Sequence, residues 1–181
     1  IEAQYNGEQW HMAAGASQSR PESQVRDRER AGNLQLEKFF SDSYRVGTSM
    51  WAGWSDLRRR WLLSLHGILG FTDHFYLSDE TTWQNAQARA GDLYPGPTVT
   101  GLYHFDRIGY ELIQGLHLTG ISDISQGDVT QTNSLTVMLG GGPVRYPRPH
   151  FEVELMGTRR LLRQSSQSWE TYAWLMMHYY L

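Results

Sequence analysis

Apolar and polar residues alternate with a period of two along the C-terminal part of the chain. Val153 and Leu155 fall on one face of such a segment, and Glu152 and Glu154 fall on the other. A period of two is the repeat of a β-strand, whose successive side chains point to opposite faces of the sheet. Residues 170–181 continue the alternation and are rich in aromatic side chains. These two segments are therefore predicted to form an antiparallel hairpin.

The same alternation recurs throughout the chain and predicts about eight strands in an all-β, antiparallel, up-and-down arrangement. They are expected near 1–12, 34–54, 60–74, 99–105, 116–120, 135–142, 151–158 and 170–181. A turn is predicted over 144–149, where two prolines interrupt the ladder. Long and short connections alternate, which is typical of a transmembrane β-barrel. The chain 1–181 is predicted to be one β-barrel domain with long exterior loops at about 15–33 and 78–97.

Composition excludes several other classes of protein. Hydrophobic residues make up 40% of the chain and charged residues 19%, which argues against disorder. The net charge of -3 lacks the basic surplus of a nucleic-acid-binding protein. Cysteine is absent, so disulfides, thiolate metal sites and a cysteine nucleophile are excluded from this sequence. No apolar run reaches the length of a transmembrane helix.

The segment 173–181 resembles the C-terminal strand of Gram-negative outer-membrane β-barrels. In that family the last strand carries outward apolar residues at alternate positions and ends in an aromatic or apolar residue. This sequence departs from the pattern in ending on Leu181 instead of Phe, with Tyr179 two residues earlier. The segment 142–154 is similar to a module near the end of many such barrels, in which a proline-containing periplasmic turn precedes a strand with apolar residues outward and acidic residues inward. Residues 110–118 resemble the short turn before it.

Similar modules end the large porin-like barrels that sheathe multihaem cytochromes. The resemblance implies a location in the bacterial outer membrane and contact with its lipid and lipopolysaccharide. It also implies that the barrel-assembly machinery recognises the terminal strand. A protein partner in the envelope is expected, and nucleic acid is not.

We therefore predict an antiparallel up-and-down transmembrane β-barrel, either complete at about eight strands or the C-terminal part of a larger barrel. The terminal strand should pair with residues 151–160 and, in a complete barrel, with residues 1–12, because lipid leaves no backbone amide unpaired. An eight-stranded barrel is filled by its own side chains, which favours a structural or scaffolding role. A larger barrel favours a pore.

The alternation also predicts which side chains face the lumen and which face lipid. The predicted lumen-facing polar residues are Glu152, Glu154, His66 and His74. The predicted lipid-facing residues are Val153, Leu155, Leu175, Met177, Tyr179 and Leu181. The two glutamates are expected to meet arginines from neighbouring strands, such as Arg160 or Arg60, in an interior network of ion pairs.

Candidate catalytic and metal-binding residues are not arranged in a recognisable motif. The seven histidines are His11, His66, His74, His104, His117, His150 and His178. His66 and His74 are too far apart along a strand, more than about 20 Å, to share a metal ion. No metal, cofactor or catalytic residue is predicted, and the protein is not expected to be an enzyme.

Two alternatives remain open at this point. The first is an outer-membrane lipid-modifying hydrolase, with Ser64 or Ser134 as the candidate nucleophile. The second is a soluble β-barrel that binds an apolar ligand. A soluble barrel would turn the apolar residues of 135–139 and 151–155 towards its interior.

Overall fold

The computed structural model describes residues 1–18, 29–55, 58–88, 98–162 and 168–179 as one antiparallel sheet. It contains eleven strands, and each strand pairs with its neighbours in chain order. The strands are β1 (Glu2–Asn6), β2 (Trp10–Gln18), β3 (Arg30–Ser41), β4 (Tyr44–Trp54), β5 (Arg58–Gly70), β6 (Phe75–Ala88), β7 (Val99–Ile113), β8 (Leu116–Gln126), β9 (Leu135–Arg148), β10 (Phe151–Leu162) and β11 (Ser168–Tyr179). A single 3-10 turn, Thr132–Ser134, precedes β9.

No helix among these residues has the length and apolar character needed to cross a membrane.

The strand count of about eight was too low because two predicted strands are hairpins and one strand was missed. Residues 1–12 hold β1 and part of β2, which turn at residues 7–9, and residues 34–54 hold most of β3 and all of β4. Such tight turns interrupt the alternation of apolar and polar residues for only two or three residues, so each hairpin was predicted as one strand. The missed strand is β6, which occupies much of the segment 78–97 that was predicted as a loop.

The prolines near the end of the chain do not stop β9 where expected. Pro143 lies opposite Leu118 in the ladder, and the strand continues to Arg148. The turn is confined to Pro149 and His150, whose φ of 64° places it in the left-handed region. The pairing of β9 with β10 shifts register between Phe151 and Val153. This irregularity lies beside the proline-containing end of β9.

The connections fall into two groups at opposite ends of the sheet. The turn end holds the short turns 7–9, 42–43, 71–74, 114–115 and 149–150. At the opposite end, called the loop end, successive strands end and begin on either side of residues 19–29, 55–57, 89–98, 127–134 and 163–167. With the exception of 55–57, the longer intervals between strands therefore separate strand ends at the loop end.

The two edge strands, β1 and β11, do not pair with each other. β11 pairs with β10 over Phe151–Leu162, as predicted. The expected pairing of the terminal strand with residues 1–12 does not occur. With eleven strands, β1 and β11 both run from the loop end to the turn end. They are therefore parallel, and they cannot form the antiparallel closure that an even strand number would permit.

The sheet curves towards one face. Arg107 on β7 and Glu154 on β10 approach to 3.2 Å between Nη2 and Oε2, although two strands lie between them. In a flat sheet these strands would be about 14 Å apart, at nearly 5 Å per neighbour. The side chains meet because the sheet is bent, so this is the concave face. The opposite surface is called the outward face.

The outward face is apolar and is bordered by aromatic residues at both ends. On β4, Tyr44 lies at the turn end and Trp54 at the loop end, with Val46 and Met50 exposed between them. Ten residues of strand are about 33 Å long, or about 24 Å in height when tilted by about 45°. That height equals the apolar band of an outer-membrane barrel. The other outward aromatics are Tyr5, Trp10, Phe75, Tyr110 and Tyr179 at the turn end, and Trp61, Trp83 and Trp169 at the loop end.

Gly115 is required by the turn between β7 and β8. Its φ is +73°, and an added Cβ would lie 2.9 Å from the backbone oxygen of Tyr146. We expect Gly115→Ala to lower the free energy of unfolding by about 1–2 kcal/mol, the cost of a left-handed residue that carries a side chain. A urea titration of the full-length protein in detergent measures this cost. Gly127→Ala is the matched control, because its Cβ would meet nothing within 4 Å. Equal urea midpoints of unfolding for the two variants would contradict the requirement for glycine at position 115.

Candidate functional site

The concave face carries most of the ionisable side chains of the sheet, and many of them are paired. Residues that are opposite one another in antiparallel neighbours share a face, so the register assigns each strand residue to one side. The acidic residues of the concave face are Glu2, Glu37, Glu80, Glu111, Asp123, Glu152, Glu154 and Glu170. The arginines are Arg45, Arg58, Arg60, Arg107 and Arg160. The surface is therefore polar with an acidic surplus.

Glu154 is one of two buried glutamates on β10, with Glu152. Its side chain is 9% exposed, and it accepts hydrogen bonds from Arg107 at 3.2 Å and from the indole N–H of Trp174 at 3.2 Å. Trp174 lies on β11, so three strands contribute to the cluster. An ionised carboxylate out of contact with water needs this number of donors. The cluster holds β7, β10 and β11 in their curved arrangement.

A second pair joins β3 and β5 across β4. His66 Nε2 lies 2.9 Å from Glu37 Oε1, and Gln35 donates a hydrogen bond to the same oxygen at 3.2 Å. Gly47 lies directly between the two strands, and an added Cβ there would be 2.4 Å from His66 Nε2. The absence of a side chain at Gly47 therefore allows the pair to form.

Two further clusters lie near the ends of the concave face. At the loop end, Arg60 forms two hydrogen bonds of 2.8 Å with the carboxylate of Glu29 and stacks over Trp51 at 4.8 Å. At the turn end, Glu111 accepts a 2.7 Å hydrogen bond from the N–H of Gly115 and lies 3.4 Å from His74. Charges are thus fixed at both rims of the face.

An acidic depression lies in the middle of the concave face. Glu80 on β6 and Asp123 on β8 flank the ring of Phe105 on β7, and Thr82 donates a hydrogen bond to Glu80 at 3.2 Å. Thr82, Tyr103 and the two acidic side chains line the depression. No arginine of the described residues contacts Glu80 or Asp123. These two carboxylates are available to a hydrated solute.

A loop at the loop end adds another negative charge. In the connection between β8 and β9, Asp128 accepts hydrogen bonds from the hydroxyl of Thr130 at 2.6 Å, from its amide at 2.9 Å and from the side chain of Gln131 at 2.7 Å. These donors, the Thr130 hydroxyl first, hold the pKa of Asp128 below its usual value. Asp128 therefore remains ionised at neutral pH.

The structure distributes the predicted site residues as follows. Glu152, Glu154 and His66 lie on the concave face. His74 lies outside the strands, in the turn between β5 and β6. The outward face holds Val153, Leu155, Leu175, Met177 and Tyr179. Leu181 lies outside the described residues.

An arginine binds Glu154, as predicted, but it is neither of the two that the sequence suggested. Neither Arg160 nor Arg60 binds it, and Arg107, 47 residues earlier in the chain, does. No spacing in the sequence could identify this contact, because it depends on the curvature of the sheet. The sequence pattern assigned Trp174 to an aromatic-rich strand and gave it no partner. In the structure its indole N–H donates a hydrogen bond to the same carboxylate.

The candidate nucleophiles of the hydrolase alternative are occupied by other contacts. Ser64 is buried on the concave face and shares a 2.6 Å hydrogen bond with the hydroxyl of Thr82. Ser134 donates to the backbone oxygens of Asp128 and Gln131. Within the described part of the chain, neither hydroxyl is hydrogen-bonded to a histidine.

One group of side chains in the described strands has the ligand types and spacing of a metal site. The ligand atoms of Asp79, His104 and Asp106 all lie within 4.8 Å of one another. The three residues are on the outward face, away from the concave surface. Their position on the otherwise apolar outward face is unusual.

Comparison with known proteins relates this architecture to one class. No protein-family model matches the sequence, and no curated protein matches it. Among solved structures, the outer membrane channel DcaP of Acinetobacter baumannii superposes with a TM-score of 0.68 over 98% of this chain. The fold is that of an outer-membrane β-barrel. Sequence identity is 11%, so the likeness concerns the fold alone, and the chain spans 61% of the length of that channel.

Proposed function

We propose that this chain forms the larger part of the wall of a water-filled channel in the bacterial outer membrane. The observation that carries the proposal is the division of one antiparallel sheet into an apolar outward face with two aromatic borders and a concave face lined by charged residues. In a membrane this division directs the outward face to lipid and the concave face to water. The similarity in fold to a channel supports the same assignment.

The number of strands favours an aqueous channel over an interior filled by side chains. About eight strands enclose only their own side chains, whereas barrels of 16–18 strands leave an aqueous channel. Because β1 and β11 are parallel, antiparallel closure needs an odd number of additional strands, and lipid does not tolerate the two open edges. The closed barrel is therefore larger than the eleven described strands. Its acidic surplus, with Glu80 and Asp123 unpaired by arginine, favours cations.

The outward direction of the apolar residues counts against the soluble alternative. Leu139 and Leu155 are each 51% exposed on the outward face. A soluble ligand-binding barrel would bury these side chains. The hydrolase alternative gains no support from the surroundings of Ser64 or Ser134.

Adjacent positions on β4 provide a direct test. Ser49 faces the concave side, next to Gln35 and His66, and Met50 faces outward. Since the sequence has no cysteine, Ser49→Cys and Met50→Cys each introduce one thiol. In outer-membrane preparations we expect a charged, membrane-impermeant thiol reagent to label Ser49→Cys at least tenfold faster than Met50→Cys. An apolar maleimide should label Met50→Cys.

Three outcomes distinguish the functions. Rapid labelling of both thiols by the charged reagent, in protein purified without detergent, would establish a soluble protein. Labelling of neither would show a filled interior, and a structural role would replace the channel. Planar-bilayer recordings of the full-length protein complete the test, with stepwise conductance and a cation-favouring reversal potential as the expected results.

A further inference from the structure

A polar patch interrupts the outward face on three adjacent strands. It consists of Asp79 and Thr81 on β6, His104 and Asp106 on β7, and Ser122 on β8, and we call these five residues the outward patch. The register places them together, because Asp79 is opposite Asp106, Thr81 is opposite His104, and Asp106 is opposite Ser122. All five therefore point away from the proposed channel.

The two aspartates lie at the centre of the apolar band. On β6, Asp79 is four residues from Phe75 and four residues from Trp83, the outward aromatics of its two borders. Each interval is about 13 Å along the strand. Asp106 is directly opposite Asp79 and is the middle residue of β7. The patch thus occupies the depth at which an exposed charge is least compatible with lipid.

Contacts within the patch neutralise the charge of its two aspartates only in part. His104 Nε2 is 3.0 Å from Asp106, and its Nδ1 is 2.9 Å from the hydroxyl of Thr81 and 3.5 Å from Asp79. Ser122 donates a 2.9 Å hydrogen bond to Asp106. One histidine balances at most one carboxylate. The side chains of Asp79, His104 and Asp106 nevertheless remain 34–40% exposed.

The rest of the described outward face is different at this depth. Central positions there are apolar, such as Leu65, Leu139 and Leu155. The hydroxyl of Thr48 donates to the backbone oxygen of Ser64 at 2.9 Å, so it does not need an external partner. The polar residues are therefore confined to one part of the barrel wall, and an apolar rim that includes Ile108, Leu118 and Ile124 surrounds them.

We propose that the outward patch is the contact surface between copies of this chain in the membrane. The proposal rests on the channel assignment, since it requires the outward face to lie in the bilayer. Contact with protein removes the exposed carboxylates from lipid and supplies hydrogen-bond partners for them. Interhelical hydrogen bonds between polar side chains hold helical membrane proteins together, and the outward patch applies the same physics to a sheet.

The geometry of a membrane favours a second copy over an unrelated partner. Two copies inserted in the same orientation and related by a two-fold axis along the membrane normal bring a patch at mid-depth against the patch of the neighbour at the same depth. The patch can also pair with its own copy, because the carboxylates of Asp79 and Asp106 have further lone pairs and the hydroxyl of Thr81, beside His104, can accept one hydrogen bond and donate another. The outward cations of the described strands lie near the two ends instead: Arg30, Lys38, Arg59, Arg145 and Arg159.

Cysteine cross-linking tests the contact. Thr81→Cys places the only thiol of this sequence in the outward patch, so any disulfide that it forms joins two molecules. Leu155→Cys is the matched control, because it is outward, mid-strand and four strands away on β10. In oxidised outer-membrane preparations we expect at least fivefold more disulfide-linked dimer from Thr81→Cys than from Leu155→Cys.

A second measurement keeps the proposal testable if the disulfide geometry is poor. Asp79→Leu combined with Asp106→Leu removes the acceptors, and we expect the mass of the detergent-solubilised protein to fall from an oligomer to one copy. An unchanged mass, or a wild-type protein of single-copy mass, would overturn the proposal. A photo-cross-linker at position 81 that captures a different protein, or only lipid, would also overturn it.

The outcome can be separated from that of the channel assignment. Leu155→Cys should react with an apolar maleimide in membranes, whether or not copies associate. If it reacts and the solubilised wild-type protein has the mass of one copy, the outward face lies in lipid and only the contact between copies is wrong. If Leu155→Cys reacts with the charged reagent instead, the membrane assignment itself fails.

Discussion

Leu65→Arg is expected to lower the free energy of unfolding by about 2–4 kcal/mol, the cost of an arginine on the lipid face of a barrel near mid-depth. Leu65 is 59% exposed on the outward face of β5, four residues from the border residue Trp61. The decrease in the free energy of unfolding caused by Leu65→Arg tests directly whether this surface contacts lipid. A denaturant titration of the full-length protein in lipid vesicles provides the value.

The same strand supplies the control. Leu62 is also a leucine of β5, but its side chain points to the concave face, opposite Trp51 and Gln84. We expect Leu62→Arg to cost less than about 1 kcal/mol, because an arginine there remains hydrated in the lumen. Equal costs at the two positions, or a larger cost at Leu62, would reverse the assignment of the two faces.

Glu154→Ala is the second substitution with a large expected effect. It leaves Arg107 without its carboxylate and Trp174 without its acceptor, and we expect the free energy of unfolding to fall by about 2–4 kcal/mol. Glu80→Gln is the control, since Glu80 is exposed and accepts one hydrogen bond from the described residues, that of Thr82. It should cost less than about 1 kcal/mol.

A double-mutant cycle separates the ion pair from the packing of the side chains. Arg107→Met together with Glu154→Leu removes both charges and keeps apolar volume in the same space. Arg107→Met and Glu154→Leu are also measured singly, and if the uncompensated arginine causes most of the loss in Glu154→Leu, the double variant should recover at least half of it. A double variant that loses the sum of the two single effects would show that the pair is not coupled.

The sequence was sufficient for the fold class and for the pairing of the two C-terminal strands. In β10 and β11 the outward positions are apolar, or aromatic at the border, over most of their length, and the period of two is therefore directly visible. The pairing of Phe151–Leu162 with Ser168–Tyr179 follows from the same pattern. Local chemistry and the strand repeat are enough for such an inference.

The strand count could not be obtained in the same way. Two-residue and three-residue turns, such as Asp42–Ser43, interrupt the alternation too briefly to separate β3 from β4. β6 was missed for a different reason: its outward face carries Asp79 and Thr81 where a lipid-facing strand carries apolar residues, so no apolar face was visible. The polar residues of the outward patch therefore hid β6 from the sequence pattern, and the same residues form the proposed contact between copies.

The sequence by itself determined that this chain is an antiparallel β protein with one apolar and one polar face, because side-chain alternation is a local property of each strand. Only the tertiary structure decided which distant residues meet. The pairs of Arg107 with Glu154 and of Glu37 with His66, and the gathering of Asp79, His104 and Asp106 at one depth, arise from register and curvature. Register and curvature are properties of the whole sheet, and no single segment of the sequence encodes them.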